Sequence, residues 1–250
     1  MGRRGGERST ARFQRKREAI LDGATAILNH QGVKGLTLAK AAAAVDLSTT
    51  SVTYYFPRKD DLAAACLMRG IEWMTAAAVE AMEAADPAAR LRRLFELHLE
   101  RVQRTAVGAA AEFPAFSDLR ALNDPLRTEV FNAYMGMFRQ VRRLFEAEAL
   151  DWLSLGRRTA RTHMLLEQLF WAAAWLPRYD PDDYPRLCDR MVDILVHGLA
   201  APGVAWSPLS LGDLAAPEGA DAARETFLLA ATRLINRRGY RGASVDLISA

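Results

Sequence analysis

Apolar residues recur at helical spacing along almost the whole chain. Near the start, Ile20, Ala24 and Leu28 fall four residues apart, which places them on one face of a helix. No segment alternates apolar and polar residues in the manner of a half-buried strand. Turn and helix-breaking residues predict further helical segments from residue 57 to about 85 and at about 88–106, 117–122, 124–150, 157–176 and 184–200. The sequence therefore predicts an all-α protein.

The composition indicates how many domains the chain can form and which cellular compartment suits it. Its 250 residues are 50% hydrophobic, enough for sizeable cores in one or two domains. The two cysteines, Cys66 and Cys188, lie far apart in helical patterns, which argues against a disulfide framework and is typical of a reducing compartment. The N terminus has no apolar run of a secretory signal, and the apolar stretch at 165–176 is too short to span a bilayer. We expect a soluble cytoplasmic protein with no membrane association.

The net charge of the chain conceals a basic N terminus. Residues 1–17 contain seven arginines and lysines against Glu7 alone, so they carry +6 and leave −3 for the rest of a chain whose total is +3. A basic segment ahead of an acidic body is typical of a protein whose partner is a polyanion. A disordered, solubilising tail would have the same composition, and the charge pattern does not separate the two interpretations.

Three helices near the N terminus are predicted to form a helix-turn-helix. Gly32 lies where the first helix should end, and Thr37 is placed as the N-cap of a short alanine-rich second helix. Asp46 lies in a tight turn before the third helix, which is predicted to begin at Ser48 and end at Tyr55. In this motif the helix that follows the turn can enter the major groove of DNA.

The third helix carries hydroxyl and aromatic side chains but no lysine or arginine. Hydroxyls that can hydrogen-bond with base edges or phosphates are those of Thr49, Thr50, Ser51 and Thr53. Tyr54 and Tyr55 can reach phosphates, although both could instead pack within the domain. Lys59 follows at the start of the next helix, where free backbone N–H groups also favour a phosphate.

These residues resemble the TetR-type one-component transcriptional regulators. The matching positions occur in the family's order between about Arg17 and Leu62: Ala24, Gly32, Thr37, Ala41-Ala42, Asp46-Leu47-Ser48, Tyr54-Tyr55-Phe56, Lys59 and Leu62. The sequence departs from the family pattern at Asp46 and Thr50, where glycine is common, and at Thr53, where a DNA-contacting tyrosine is common. These departures concern the operator sequence rather than the mode of binding.

The resemblance implies which residues contact DNA. Thr37, Tyr54 and Lys59 would hold phosphates, and the hydroxyl residues of the third helix would face bases. The full set of candidate DNA-binding residues is Thr37, Ser48, Thr49, Thr50, Ser51, Thr53, Tyr54, Tyr55 and Lys59. The resemblance also implies a homodimer on a palindromic double-stranded operator, which represses transcription and is released by an unknown small-molecule inducer. The helices at 157–176 and 184–200 would form a four-helix bundle with their copies.

The helical body contains bulky side chains that could line a ligand pocket. The candidate lining residues are Trp73, Phe95, His98, Glu112, Phe116, Tyr134, Phe138, Gln168 and Trp171, of which Glu112 and Gln168 could be polar anchors. Met74, Phe113 and Trp175 are further bulky side chains of the body that could line the pocket. An ordinary helical core would contain the same residue types. His163 and Glu167 lie one helical turn apart without a third ligand at metal-binding spacing, and no catalytic pattern is present. We therefore expect no metal, no cofactor and no enzymatic activity.

The end of the chain repeats its beginning. Residues 224–250 align without gaps with residues 17–43, and nine of the 27 pairs are identical, including Gly32 with Gly239 and Gly35 with Gly242. The repeat favours a fragment of a tandem protein over a chance match. Homodimerisation and pairing of two fused units within a longer chain then both remain open. An isolated helix in the repeat is expected to fray unless it docks elsewhere, because short helices are marginal in water.

The predicted organisation has five parts. A basic flexible arm occupies residues 1–16, a helix-turn-helix domain 17–62, a helical ligand-binding and dimerisation domain 63–201, a linker 202–223, and a partial second head 224–250. The predicted function is a sequence-specific DNA-binding transcriptional regulator. The alternative is a helical ligand-binding or scaffolding module with a degenerate head, because the third helix has no base-reading arginine, asparagine or glutamine.

Overall fold

The computed structural model describes residues 3–198 and 222–238, together with Ser244 and Asp246. The chain divides into two units, Met1–Val196 and His197–Ala250. The described residues form helices and connecting turns, and no strand occurs among them. The predicted all-α fold class is confirmed.

Three helices form the head: α1 (Arg3–Gly35), α2 (Leu38–Ala43) and α3 (Thr49–Tyr55). At Gly32 the backbone of α1 leaves the helical region (φ 68°, ψ 178°), a conformation that favours glycine, so the regular helix ends where the sequence predicts. The side chains of Thr37 and Ser48 accept hydrogen bonds from the backbone N–H groups of Lys40 and Ser51. Both residues are therefore the N-caps that the sequence predicts.

The N-terminal basic segment differs from its expectation. The sequence predicts a flexible arm that ends at residue 16, whereas the structure continues α1 back to Arg3. The extension has a tertiary contact, because the Phe13 ring lies against Tyr54 and Tyr55, with centroids 6.1 and 4.7 Å away. Local composition and charge could not reveal this contact, which joins residues about forty positions apart.

Five further helices complete the first unit: α4 (Lys59–Ala81), α5 (Pro87–Ala106), α6 (Leu126–Arg142), α7 (Leu155–Trp175) and α8 (Tyr184–His197). Short 3-10 segments occur at Phe116–Ala121, Arg143–Phe145, Glu148–Leu150, Leu176–Arg178 and Pro181–Asp183. The sequence predicted one helix over 124–150, but the α-helix ends at Arg142. The turn that follows buries Leu144 and Phe145, and Arg90 donates to the carbonyl of Glu146 at 2.7 Å.

The central element of the first unit is α4, which packs against α1, α5 and α6. It is long and apolar enough to cross a membrane by length and composition, but 56% of its apolar window is buried within the protein. Its Gly70 makes a close approach possible, since a Cβ there would lie 2.8 Å from Pro114 Cδ and 3.3 Å from Phe116 Cζ. Cys66 of α4 and Cys188 of α8 are buried free thiols, and burial raises the pKa of each to about 11.

The second unit contains helix α9 (Ala222–Arg238). The repeat aligns this helix with residues 15–31 of α1, which end immediately before Gly32. Several of its apolar side chains are exposed, among them Phe227 (44%), Leu228 (43%) and Leu229 (51%). The predicted linker up to residue 221, and the repeat residues at 239–243, 245 and 247–250, lie outside the described residues.

Two glycines in helix interiors should respond to alanine in opposite directions. In Gly70→Ala the new methyl meets the rigid Pro114 ring, so we expect the free energy of unfolding to fall by about 1–3 kcal/mol. In Gly136→Ala of α6 the nearest neighbour is Arg139 Nη2 at 4.0 Å. Improved helix propensity should there raise the free energy of unfolding by about 0.5–1 kcal/mol. Urea denaturation measures both, and stabilisation by Gly70→Ala would contradict the close approach.

Candidate functional site

The turn between α2 and α3 sets the direction of the third helix. Asp46 adopts a positive φ of 52°, which aspartate tolerates better than most residues, and the Leu47 N–H donates to the carbonyl of Ala42 at 3.0 Å. Val52 is fully buried and fixes α3 on the head core. The opposite side of α3 is consequently turned outward.

The outward side of α3 carries the hydroxyl residues that the sequence predicted. Thr49, Thr50 and Thr53 are exposed, and Ser51 is half-buried. The Thr53 hydroxyl donates to the carbonyl of Thr49 at 2.9 Å, while Ser51 Oγ lies 2.9 Å from the Ser48 hydroxyl. Thr53 therefore offers an outer surface its methyl group and remaining lone pair, and no hydrogen bond within the described residues occupies the hydroxyl of Thr50.

The two tyrosines of α3 differ in their surroundings. Tyr54 is 75% exposed, whereas Tyr55 is half-buried against the core. Their rings meet edge to face with centroids 5.3 Å apart, and Phe13 completes an aromatic triad with them. We did not identify Phe13 from the sequence, although a large apolar side chain isolated among basic residues was the available signal.

The start of α4 presents a cation beside α3. Arg58 forms an ion pair with Asp61 (Nη2–Oδ1 2.7 Å), and the guanidinium's hydrogen bond lowers the pKa of that carboxyl. Lys59, the first residue of α4, is exposed and has no ion pair among the described residues. Because Asp61 compensates the Arg58 charge, Lys59 is the available cation at this helix N-terminus.

A second candidate site lies in the body, where aromatic rings form a continuous cluster. Phe113 is at its centre, with centroids 5.7 Å from Trp73, 5.6 Å from Phe116 and 6.0 Å from Phe170. His98 and Tyr134 complete the set that we call the aromatic cluster, namely Trp73, His98, Phe113, Phe116, Tyr134 and Phe170. The structure thus brings Trp73, His98, Phe116 and Tyr134 together with Phe113, all of which the sequence offered as possible lining residues, and adds Phe170.

The remaining predicted pocket residues lie elsewhere. Phe95 is fully buried in the general core, and Phe138 packs against His163 with centroids 4.6 Å apart. Trp171 is 64% exposed and lies on the outer side of α7. Glu112 accepts a hydrogen bond from Asn29 Nδ2 at 2.8 Å, so its carboxylate connects the body to α1 of the head.

Polar atoms without hydrogen-bond partners adjoin the aromatic cluster. Among the described residues, both ring nitrogens of His98 and the Nε of Arg101 are buried and have no hydrogen-bond partner. Oε1 of Gln168 is also without a partner there, but Gln168 lies beside Trp171 and Trp175. Burial lowers the pKa of His98 to about 4, although the nearby Leu169 backbone favours its protonated form. Burial also lowers the pKa of Arg101, whose guanidinium lies 4.8 Å from the Trp73 ring centroid. Unpaired buried polar atoms are rare, so these groups could receive a polar ligand.

Asn29 connects the head to the segment that carries Phe113. Its Nδ2 also donates to the Phe113 carbonyl at 3.0 Å, and its Oδ1 accepts from the Ala115 N–H at 2.8 Å. From α4, Arg69 reaches α1 through ion pairs to Glu18 (3.2 Å) and Asp22 (2.5 Å). The head is therefore joined directly to the wall of the aromatic cluster.

The outer side of α7 has apolar side chains in contact with solvent. Met164 is 54% exposed and Trp171 64% exposed, and the two lie two turns apart on the same face of the helix. Beside them a shallow groove of about 340 Å³ is lined by Glu167, Gln168, Trp171, Trp175, Met191 and Ile194 of α7 and α8. No group of three or more metal-ligating side chains occurs in the described part of the chain.

The head sequence matches the family model described as "Bacterial regulatory proteins, tetR family" over residues 20–66. No curated protein matched the chain. Among solved structures, a TetR-family transcriptional regulator from Bordetella parapertussis aligns with a TM-score of 0.59 at 19% identity, over 74% of this chain and 98% of that one.

Two ligand complexes also align with this chain. AibR in complex with isovaleryl coenzyme A and operator DNA aligns with a TM-score of 0.55 at 19% identity, over 71% of this chain and 96% of that one. FadR from Bacillus subtilis in complex with stearoyl-CoA aligns with a TM-score of 0.53 at 16% identity, over 73% and 99% respectively. At these identities the likeness concerns the fold, and the family model supplies the evidence from sequence. Residues 20–66 therefore form a head that matches the TetR family model, and the chain has the all-α fold of the solved TetR-family structures with which it aligns.

Proposed function

We propose that this protein is a DNA-binding transcriptional regulator that binds a palindromic operator and releases it when a small molecule enters the body. The observation that carries the DNA-binding proposal is the outward side of α3, where Thr49, Thr50 and Tyr54 are exposed beside Lys59. Small hydroxyl side chains suit base edges and thymine methyl groups, whereas a lysine at a helix N-terminus suits a phosphate.

The DNA-contacting residues have separable roles in this proposal. Thr49, Thr50 and the methyl group of Thr53 read bases. Thr37 and Ser48 already accept backbone hydrogen bonds as caps, so their remaining lone pairs and hydroxyl hydrogens are what a phosphate or a water can use. Tyr54 contacts a phosphate through its phenol, while the half-buried Tyr55 contributes mainly to the position of α3.

A small molecule is proposed to bind at the aromatic cluster. The rings of Trp73, Phe113 and Phe170 offer apolar contacts, Arg101 offers a charged donor, and neutral His98 can donate and accept. The two CoA complexes with this fold make acyl-CoA compounds the first ligands to test. Because Asn29 binds the Phe113 carbonyl, displacement of Phe113 by a ligand would act directly on α1.

The outer side of α7, with the neighbouring face of α8, is proposed as the homodimer interface. Exposed Met164 and Trp171 supply the apolar area, and the adjoining groove continues onto Met191 and Ile194. Two heads related by a two-fold axis would match the two halves of a palindrome. Pairing of two fused units within a longer tandem protein is the alternative arrangement.

Variants of the head should separate phosphate contacts from base contacts. Lys59→Ala should weaken binding to all duplexes by a similar factor. It should also reduce the slope of log affinity against log salt by about one unit per head, because one phosphate contact is lost. Thr50→Ala should instead change the preference among sequences, since base contacts specify. Fluorescence anisotropy on a duplex selected from a random pool and on a scrambled duplex measures both. Arg178→Ala, which removes an exposed charge from the body, is the control.

Two results would contradict this assignment of roles. Equal losses of affinity for both duplexes in Thr50→Ala would contradict the placement of α3 in the major groove. Failure of the unchanged protein to bind any duplex at low salt would favour the alternative function, a ligand-binding or scaffolding module with a degenerate head.

His98 should make stability depend on pH. Its folded pKa of about 4 lies below the unfolded value near 6.5, so the unfolded chain binds more protons between these values and stability falls as the pH falls. The contribution lost between pH 7 and pH 5 should be about 2 kcal/mol. Urea denaturation at both pH values should show this loss, and His98→Phe should reduce it. Equal pH dependence of the two proteins would show that His98 is not buried in its neutral form.

Substitutions of two exposed tryptophans test the dimer interface. Trp171→Glu should shift the protein from a dimer towards its 27.7 kDa monomer in sedimentation velocity, because it places a charge in the proposed interface. Trp152→Glu is the matched control, since Trp152 is equally exposed (62%) but lies before α7. A monomer for the unchanged protein at micromolar concentration would instead favour pairing within a longer chain.

A further inference from the structure

The N-terminal extension of α1 is a structural element that the helix-turn-helix itself does not require. Residues 3–16 continue the first helix of the head as one α-helix. The extension contacts the last turn of α3 through Phe13, whose ring centroid lies 4.7 Å from that of Tyr55 and 6.1 Å from that of Tyr54. The basic segment is therefore positioned relative to the proposed DNA-reading helix.

The extension concentrates positive charge on one side. Arg4, Arg8, Arg12 and Lys16 recur every four residues in the sequence, and at 100° per residue positions 12 and 16 lie on the same side of the helix. Arg15 adjoins the same face. Arg12 and Arg15 are exposed, and neither they nor Lys16 have an ion-pair partner among the described residues.

Two acidic residues of α1 that follow the extension, Glu18 and Asp22, are engaged by the body of the protein. Glu18 and Asp22 form ion pairs with Arg69 of α4, at 3.2 and 2.5 Å. Glu18 also lies 3.6 Å from Arg17, but neither carboxylate forms an ion pair with Arg12, Arg15 or Lys16. Within the described side chains, the charges of Arg12, Arg15 and Lys16 therefore have no ion-pair partner, which is costly unless a polyanion or solvent counterions lie beside them.

The position of Phe13 indicates where the basic face would lie on DNA. In a helix-turn-helix the N-terminal residues of the recognition helix contact base edges, so the last turn of α3 lies towards the sugar-phosphate backbone. Phe13 contacts this last turn. The extension would thus run beside the backbone at the edge of the half-site rather than in the groove that α3 occupies.

We propose that residues 3–16 form a second DNA-contacting element, a basic helix that Phe13 docks on Tyr54 and Tyr55 and that binds backbone phosphates flanking the half-site. The inference rests on the proposed DNA-binding function. Its contacts are independent of sequence, and they extend the length of duplex that the protein covers. Phe13 acts as a positioning residue, because it carries no charge and works through the helix that it holds.

The experiment compares two duplexes and four variants of the full chain. One duplex carries the selected operator with ten flanking base pairs on each side, and the other ends at the operator. The triple variant Arg12→Ala, Arg15→Ala, Lys16→Ala, which we call the basic-helix variant, removes three positive charges. Phe13→Ala removes only the docking contact. Phe13→Trp retains an aromatic ring, and the triple variant Arg104→Ala, Arg139→Ala, Arg178→Ala removes three charges from exposed positions of the body outside α7 and α8.

The long duplex should separate the variants by salt dependence. If the three cations of one head each release one counterion, the slope of log affinity against log salt should fall by about 2.7 per head in the basic-helix variant. The unchanged protein should then lose about 40-fold more affinity per bound head than that variant between 50 and 200 mM salt. Phe13→Ala should show a reduced slope although its charge is unchanged. Phe13→Trp and the body triple variant should behave as the unchanged protein.

The short duplex supplies the decisive comparison. The unchanged protein should bind it with the weaker affinity and lower slope that the basic-helix variant shows on the long duplex. Thermal melting should be the same for Phe13→Ala and the unchanged protein, since Phe13 is only half-buried and lies outside the core. Equal binding of both duplexes, an undiminished slope in Phe13→Ala, or tighter binding by Phe13→Ala would overturn the proposal. Absence of binding by every protein would instead overturn the proposed DNA-binding function.

Discussion

The burial of α4 is the constraint on which the first unit depends. One side of this helix packs against α1 of the head, and others pack against α5 and α6 of the body. Leu62, Cys66 and Leu67 are fully buried, so the head and the body share a continuous core instead of meeting at a solvated hinge. Removing so much apolar surface from water outweighs the cost of ordering the chain and fixes the direction in which α3 emerges.

Sharing a core has a consequence for regulation. The Phe113 segment passes against α4 at Gly70, where only a glycine leaves room for Pro114. The same segment is held by Asn29 of α1 and contributes Phe113 to the aromatic cluster. In the proposed regulator, a ligand that moves Phe113 changes a hydrogen bond to the head and a packed contact to α4 together. Tightly packed contacts transmit such displacements because they have little free volume in which to absorb them.

The parts of the head that depend on local interactions were predictable from the sequence. Caps at Thr37 and Ser48, the helix end at Gly32 and the turn at Asp46 each depend on residues within a few positions, and the structure has all of them. The end of α6 was not predictable in the same way. The apolar pattern continues through Leu144 and Phe145, but the α-helix ends at Arg142. In the turn that follows, Arg90, more than fifty positions away, binds the carbonyl of Glu146.

The sequence by itself thus determined the all-α class, the helix-turn-helix and the identity of the residues on the outward side of α3, because helix periodicity and capping are local properties. Tertiary structure decided which body residues meet. It gathered Trp73, His98, Phe116 and Tyr134 around Phe113 and left Trp171 on the surface. The presence of a bulky residue in a helix does not show whether its side chain faces the core or the solvent, because that depends on how the helices pack. It also decided that Phe13 contacts Tyr54 and Tyr55, because contacts between segments distant in sequence depend on how the helices pack.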